Sequence, residues 1–268
     1  MRIISWNLLR LTGASLEDVA ALIERERPDL LVMQEATEAM AGLPDRVGGH
    51  FVRVPLPGRI HGLAAWCPDP LPHAPRVLTL PPGALFERVC LVLDFPAFAV
   101  ANVHLSHGQV LNRRQLRRIA EMLPPRAAVL GDCNIVGPTL LPGFRDVGPR
   151  TSTHRAGEVV PLRLDRCLVR GLACRRAQAL GRASSDHRPI LVELEAARVV
   201  ARPHRRRGGQ ALMESLRGAA LRGEARVRGF RRRLDARMQA LRSRLDGRGE
   251  AAPGHAGGYG EQPSAPDR

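Results

Sequence analysis

The 268-residue sequence contains no lysine, so every one of its 41 Lys-plus-Arg positions is an arginine. These cations outnumber the 26 acidic residues and give a formal net charge of +15. A guanidinium can bind a phosphate group through two parallel hydrogen bonds, which suits phosphorylated ligands. The codon bias of a GC-rich genome explains the missing lysine more simply, so the charge by itself identifies no ligand.

Further absences disfavour membrane-spanning and exported proteins. No apolar run approaches the roughly 20 residues that cross a bilayer. The opening residues, Met1 to Asn7, lack the roughly 7 to 15 apolar residues of a signal peptide. The five cysteines show no Cys-x-x-Cys spacing, and Cys90, Cys133 and Cys167 lie in or beside apolar segments, as buried free thiols do. We therefore predict a cytoplasmic protein.

The arginines divide the chain into two parts. Residues 1–197 contain 24 arginines against 19 acidic residues, whereas residues 198–268 contain 17 against 7. We predict one domain over residues 1–197, an Arg/Pro/Gly linker over 198–210, a basic amphipathic helix over 211–249 and a disordered tail over 250–268. Such a helix suits nucleic-acid phosphates, an anionic membrane surface, a partner helix or docking onto the domain itself.

Within the first domain, short apolar strands end repeatedly in carboxylates, amides or imidazoles. Helices are predicted from Ser15 to the residue before Pro28 and from about Asn112 to Leu123, so the expected class is α/β with the site at the strand ends. The polar residues at or near the strand ends are Asn7, Glu35, Asn102, His104, Asp132, Asn134, Asp165, Asp186 and His187.

These residue types suggest metal-assisted chemistry at phosphorus. The oxygen ligands of Asn7, Glu35, Asp132, Asn134 and Asp186 suit Mg²⁺ or Mn²⁺ better than Zn²⁺. An imidazole such as His104 or His187 can transfer protons near neutral pH. Each residue alone has a structural alternative, such as a turn, a strand end or a core histidine. The prediction therefore depends on the whole set.

In its set of six motifs the sequence resembles the endonuclease/exonuclease/phosphatase family, which includes DNase I-like and exonuclease III-like enzymes. All six occur in the family's order and lie within residues 5–189. The resemblance implies a four-layer α/β/β/α sandwich of two mixed β-sheets flanked by helices. The motifs are Ser5-Trp6-Asn7, Gln34-Glu35, Asn102-Val103-His104-Leu105, Gly131-Asp132-Cys133-Asn134, Arg163-Leu164-Asp165 and Ser185-Asp186-His187-Arg188-Pro189.

The resemblance also implies roles for single residues. It makes Glu35 the principal metal ligand, with Asn7 and Asp186 beside it, and Asp132 and Asn134 groups that complete or orient the metal and phosphate site.

By the same resemblance, His187 is the general base or, in another account, the histidine that stabilises the phosphate, with Asp165 as its orienting carboxylate. His104 matches a second histidine that protonates the leaving group. Arg88 and Asn102 are assigned to the substrate phosphate.

The function we expect is Mg²⁺- or Mn²⁺-dependent hydrolysis of a phosphodiester in nucleic acid. Two alternatives stay open. One is a lipid or small-molecule phosphoesterase of the sphingomyelinase or inositol-phosphatase kind, and the other is a non-catalytic phosphate-binding relative. A damage-specific endonuclease is disfavoured, because aromatic residues are 3% of the chain and its single tyrosine, Tyr259, lies in the tail.

Overall fold

The computed structural model describes residues 1–83, 87–156 and 160–197, all within one compact unit, Met1–Val199. The predicted linker, amphipathic helix and disordered tail, over residues 198–268, lie outside the described residues. The boundary after residue 197 therefore stays a prediction.

The described chain folds into fourteen strands and three α-helices. The helices are α1 (Leu16–Glu26), α2 (Leu43–Val47) and α3 (Leu111–Met122), with short 3₁₀ turns at Arg10–Thr12 and Glu38–Gly42. The strands are β1 (Arg2–Asn7), β2 (Leu30–Thr37), β3 (His50–Pro55), β4 (His61–Cys67), β5 (Arg76–Thr79), β6 (Val89–Asp94), β7 (Ala99–His104), β8 (Ala127–Asp132), β9 (Arg145–Asp146), β10 (His154–Ala156), β11 (Val160–Leu162), β12 (Asp165–Arg170), β13 (Leu172–Ala179) and β14 (Ile190–Ala196).

Twelve of these strands form two six-stranded mixed sheets. The first has the order β13-β14-β1-β2-β4-β3 and the second the order β5-β6-β7-β8-β12-β9, while β10 and β11 form a separate hairpin. Each sheet has a parallel pair among its inner strands, β1 with β2 and β7 with β8. Helix α1 connects the first pair and α3 the second, as parallel neighbours require a crossover.

Alternating side chains of the strands fill three apolar layers. Ile3 packs between the two sheets, whereas its neighbour Ile4 packs against α1 on the outer face of the first sheet. On the outer face of the second sheet, Leu116 and Ile119 of α3 pack against strand residues such as Val103. The order helix, sheet, sheet, helix confirms the predicted four-layer sandwich.

Local sequence signals explain the first helix. Ser15 accepts a hydrogen bond from the Asp18 amide, and the Asp18 carboxylate accepts one from the Ser15 amide, which closes a capping box. Helix α1 ends at Glu26, before Pro28, as predicted. Strands β3 and β13 and the short strands β9, β10 and β11 were not predicted from the sequence.

The cysteine prediction is also confirmed. All five cysteines are free, and all but the partly exposed Cys174 are buried. Among the described residues, no helix is both long and apolar enough to cross a membrane.

Candidate active site

The site lies where the carboxyl ends of the two parallel strand pairs meet. In the first sheet, Asn7 at the end of β1 is in register with Gln34 of β2. In the second sheet, Asp132 at the end of β8 is in register with His104 of β7 on one side and Asp165 of β12 on the other. The two sheets therefore bring together residues that are far apart in sequence.

Glu35 lies in a bulge of β2, where the pairing with β4 shifts between Met33 and Ala36. Its backbone φ of 56° is in the left-handed region, which is uncommon for a residue with a side chain. The bulge re-aims the carboxylate, whose oxygens lie 4.0 Å from Arg10 Nε and 4.0 Å from His104 Nδ1. Burial raises the pKa of Glu35, and the charge of Asp132 raises it further.

A single oxygen, Asp132 Oδ2, is approached by three side chains. Asn7 Nδ2 donates to it at 3.1 Å, while His104 Nε2 lies 3.5 Å away and His187 Nε2 3.8 Å away. The other oxygen, Oδ1, accepts from the Asn134 amide at 2.9 Å. Burial raises the pKa of Asp132, which makes this carboxylate a stronger base than an exposed one.

The predicted Asp-His dyad is present. His187 Nδ1 lies 2.8 Å from Asp165 Oδ2, and Asp165 is fully buried. Burial by itself lowers the pKa of His187, but the charges of Asp165, Asp132 and Asp186 outweigh it and raise the pKa to about 10. The imidazole is therefore charged at neutral pH, with Nε2 directed towards Asp132.

The loop that carries the dyad histidine is attached to β1. Ser185 Oγ donates to the Asn7 carbonyl at 2.7 Å and accepts from the His187 amide at 3.1 Å. Trp6 Nε1 donates to the His187 carbonyl at 3.1 Å. These three bonds fix His187 relative to the first sheet, while Asp165 fixes its ring relative to the second.

Asn134 follows β8 with a φ of 49°, also in the left-handed region. Its side-chain Nδ2 donates to the Leu105 carbonyl at 2.9 Å, and its own carbonyl accepts from Asn112 Nδ2 at 2.8 Å. These bonds hold the side chain of Asn134 next to Asp132.

Arg88, which the resemblance assigns to the substrate phosphate, lies in a pocket beside Glu35 and is only 6% exposed. Among the described residues, its buried Nε has no hydrogen-bond partner. His104 lines the same pocket, and its buried Nδ1 likewise has no hydrogen-bond partner. His61 also lines this pocket. Because its side chain is an imidazole and not a carboxylate, His61 cannot be an acidic partner of His104.

Asn102 occupies a different environment from the one expected for a phosphate ligand. It is fully buried, and its Nδ2 donates across the sandwich to the carbonyls of Met33, at 2.9 Å, and Ala64, at 3.0 Å. Its Oδ1 accepts from Gln34 Nε2 at 2.7 Å. This placement favours a structural role for Asn102, which links the two sheets through its hydrogen bonds.

We expect Asn102→Ala to lower the free energy of unfolding by at least about 2 kcal/mol, because two buried carbonyls lose their donor. Chemical denaturation measures the change. If Asn102 were a phosphate ligand, Asn102→Ala would instead have a raised KM and an unchanged denaturation midpoint. That result would contradict the structural role of Asn102.

Sequence reasoning missed His154, which lies beside the dyad. The rings of His154 and His187 are 4.3 Å apart, and His154 Nδ1 is 3.6 Å from Asp186 Oδ2. His154, Asp186 and His187 together could hold a metal ion. No spacing signal marks His154, because its short hairpin strand has no apolar pattern. Arg10 was also missed, since it follows the first motif in an irregular turn.

The site residues fit a divalent cation. The charge of Asp132 raises the pKa of Glu35, and Arg10 Nε, at 4.0 Å from the Glu35 carboxylate, is too distant for a hydrogen bond. A bound cation would relieve this repulsion. Glu35, Asn7 and the partly exposed Asp186 provide the oxygen ligands that Mg²⁺ and Mn²⁺ prefer.

Solved structures of low sequence identity share this fold. An endonuclease/exonuclease/phosphatase from Bacteroides vulgatus has a TM-score of 0.62 at 16% identity, covering 73% of this chain and 98% of that one. A mannosyl-6-phosphatase from Bacteroides thetaiotaomicron gives 0.57 at 15%, covering 72% and 99%. A 3′-5′ exonuclease from Neisseria meningitidis gives 0.55 at 22%, covering 73% and 100%.

No curated protein sequence gives a significant match to the chain. The profile of the Endonuclease/Exonuclease/phosphatase family, however, matches residues 4–187, which contain every site residue described above. Because this match spans more than half of the sequence, the chain belongs to the endonuclease/exonuclease/phosphatase family and is a phosphoester hydrolase.

Proposed function

We propose that the protein is a Mg²⁺- or Mn²⁺-dependent phosphodiesterase that acts on nucleic acid. One observation carries the proposal: the Glu35 carboxylate, the Asp132 carboxylate and the charged His187 of the dyad surround one site at the edge of both sheets. The excess of arginine in the chain supports a polyanionic substrate.

The side chains suggest how hydrolysis proceeds. A divalent ion held by Glu35, Asn7 and Asp186 would neutralise charge that develops on the phosphate. Asp132 accepts a proton from the attacking water, since burial raises its pKa. Charged His187 donates a hydrogen bond to a phosphate oxygen, with Asp165 fixing its orientation.

This assignment chooses between the two accounts of His187. A pKa of His187 raised to about 10 supports the phosphate-stabilising account, in which the ring is already protonated at neutral pH. His104 remains the proposed acid for the leaving group. Burial lowers the pKa of His104 well below its usual value, so it would protonate a leaving group only after a change of environment.

A small-molecule or lipid phosphoesterase is the second candidate. It is favoured by the arginine-lined pocket beside Glu35, which is small for a nucleic-acid groove. A non-catalytic relative is disfavoured, because the full set of predicted metal ligands and both histidines is present. Free, buried cysteines suit the predicted cytoplasmic location.

A substrate panel tests the proposal. The full chain is assayed with Mg²⁺ and with Mn²⁺ on single-stranded DNA, double-stranded DNA, RNA, sphingomyelin and inositol phosphates. We expect release of nucleotides or shorter strands, and loss of this activity in excess EDTA. Turnover of only the lipid or the inositol phosphates would replace the first candidate by the second, and no turnover would favour a binding role.

The role of residues 198–268 can be tested by removing them. We expect residues 1–197 alone to hydrolyse a small activated phosphodiester as fast as the full chain, because every site residue lies before residue 190. On long DNA the shortened chain should bind more weakly and with a flatter salt dependence, since 17 arginines are removed. Initial rates and binding isotherms at two salt concentrations measure both effects.

Anionic vesicles provide the comparison ligand for this test. Weaker vesicle binding by the shortened chain would make the tail a membrane-binding segment. Equal binding of DNA and vesicles by both chains would contradict a polyanion-binding tail, and insolubility of residues 1–197 would show that the tail covers apolar surface of the domain.

A further inference from the structure

Exposed aliphatic side chains are concentrated at the end of the sandwich that carries the active site. Among the described residues, eight large hydrophobic side chains are exposed, and six of them are more than half exposed. We call these six the aliphatic tips: Leu11, Ile60, Val110, Val136, Leu140 and Val160. The other two, Val77 and Met122, lie in the edge strand β5 and at the last residue of α3.

Two of the aliphatic tips extend from the first sheet. Leu11 lies in the turn that directly follows β1, the strand that ends at Asn7. Ile60 directly precedes His61, which pairs with Thr37 at the end of β2. Both side chains therefore lie at the edge where this sheet contributes its site residues.

The other four extend from the second sheet and from the β10–β11 hairpin. Val110 lies between the end of β7 and α3, and Val136 and Leu140 lie in the segment that follows β8. Val160 belongs to the hairpin, which an isolated β-bridge connects to His187. The aliphatic tips thus come from both sheets and the hairpin, and none of them is a site residue.

This concentration favours contact with an apolar layer. Single exposed aliphatic residues are common on protein surfaces. Here, however, every one that is more than half exposed lies at the same end of the described chain. Leu140 also has a φ of 51°, in the left-handed region, so its exposed side chain is presented by a strained backbone. Full burial of such a side chain contributes about 1.5 to 3 kcal/mol.

Exposed arginines lie beside four of the aliphatic tips. The pairs are Arg10 with Leu11, Arg59 with Ile60, Arg114 with Val110 and Arg150 with Leu140. The first two pairs are adjacent in sequence, the third is one helical turn apart, and the fourth lines a single cavity.

The charge of the domain is compatible with an anionic surface. Exposed acidic residues at this end include Glu17 and Glu38, of which Glu38 pairs with Arg53. Residues 1–197 nevertheless contain 24 arginines against 19 acidic residues. A negatively charged surface attracts this excess even where single arginines also have partners within the protein.

Aliphatic tips with neighbouring guanidinium groups fit an anionic phospholipid surface. The aliphatic groups can enter the apolar layer while the guanidinium groups stay among the headgroup phosphates. A protein partner would be expected to bury one contiguous apolar patch, whereas these side chains lie on separate loops. Nucleic acid would be expected to stack its bases on aromatic residues, and none of the aliphatic tips is aromatic.

We infer that the active-site end of the domain binds an anionic phospholipid surface through the aliphatic tips and their neighbouring arginines. Such binding would bring headgroup phosphodiesters to the catalytic residues. The inference goes beyond the proposed function, and it supports the lipid phosphoesterase that is its second candidate.

Two double variants of the full chain test the inference. Val110→Ser/Leu140→Asn removes two aliphatic tips, and asparagine tolerates the left-handed backbone of Leu140. Val77→Ser/Met122→Ser is the matched control, because it removes the two exposed hydrophobic side chains outside this end. Residues 198–268 are the same in both proteins, so any difference in binding belongs to the domain.

The first measurement is the partition coefficient on vesicles of equal parts phosphatidylcholine and phosphatidylglycerol. We expect Val110→Ser/Leu140→Asn to lower it at least about tenfold, because two aliphatic side chains no longer leave water on binding. The control should bind as the wild type does. Since all four side chains are exposed, both variants should keep the wild-type melting temperature.

A fluorescence measurement works even if residues 198–268 bind vesicles strongly enough to hide this difference. In Val110→Trp the new indole should be quenched by brominated phosphatidylcholine in the vesicles, whereas in Met122→Trp it should not. The native Trp6 and Trp66 are buried and are present in both proteins. Quenching of Val110→Trp alone would show that this end enters the lipid.

Equal vesicle binding by the two double variants, together with equal quenching of the two tryptophan variants, would overturn the inference. It would also be overturned if Val110→Ser/Leu140→Asn weakened the binding of single-stranded DNA but not of vesicles, which would assign the aliphatic tips to nucleic acid. Neither measurement needs turnover. Failure here therefore leaves the proposed function to the substrate panel, and vesicle binding without hydrolysis would reject the activity alone.

Discussion

Glu35→Gln is expected to lower kcat with Mg²⁺ by at least about 10³-fold, which corresponds to roughly 4 kcal/mol of transition-state stabilisation. The amide keeps the shape of the side chain but loses the charge that would hold the cation. Because burial and Asp132 both disfavour the charged carboxylate, the variant should melt at the same temperature as the wild type or higher. Steady-state rates and thermal melting of the purified proteins measure the two effects.

Glu38→Gln is the matched control for this substitution. Glu38 lies three residues further along the chain, its side chain is 88% exposed, and it pairs with Arg53 outside the site. We expect wild-type rates from this control. Full activity of Glu35→Gln, or of the wild-type protein in excess EDTA, would contradict a metal-dependent mechanism at Glu35.

His187→Ala should lower kcat by at least about 10²-fold, the usual contribution of a positioned acid, base or charged donor. His187→Gln separates the two accounts of the residue, because glutamine can donate a hydrogen bond but cannot remove a proton near neutral pH. If His187 stabilises the phosphate, the glutamine variant should retain more activity than the alanine variant. Equal rates for the two variants would favour the general base.

Two further variants complete this experiment. Asp165→Asn should lower kcat less than His187→Ala does, because the imidazole ring remains and only its charge partner changes. His73→Ala, at an exposed histidine outside the site, should leave the rate unchanged. A wild-type rate in His187→Ala would remove the dyad from the mechanism.

His187→Ala also tests how the charge of His187 contributes to the stability of the fold. The folded-state pKa of His187 lies above its usual value of 6.5, so the charged ring stabilises the metal-free fold fully below pH 6.5. This contribution is lost as the pH rises towards 10. The stability difference between the wild type and His187→Ala should therefore shrink over the same interval in denaturant titrations.

Much of the fold could be predicted from local sequence. The strands that carry the site are short apolar runs, and they alternate between the sheet interface and the helix-facing surface, as Ile3 and Ile4 do. Ser15 and Asp18, which form the capping box, predict the start of helix α1. The family motifs further predict that Glu35, Asp132 and His187 belong to one site.

The remaining features depend on contacts between distant parts of the chain. Asn7 and Asp132 are 125 residues apart in sequence, and their hydrogen bond is fixed only by the packing of the two sheets. Asn102 matched a motif, yet its amide faces the neighbouring sheet. No local pattern could show that Arg10, Arg59 and Arg88 line one cavity, because each follows or precedes a different strand.

The position of the site across two sheets couples ligand binding to folding. Glu35 and Asn7 belong to the first sheet, whereas Asp132 and His104 belong to the second. A cation or phosphate that contacts both sets binds only when the sheets are packed together. By linkage, a ligand at 100 times its Kd adds about 2.7 kcal/mol to the free energy of unfolding. A ligand bound at the site therefore stabilises the packing of the two sheets against each other. Hydrogen exchange of the inner strands should slow when the site is occupied.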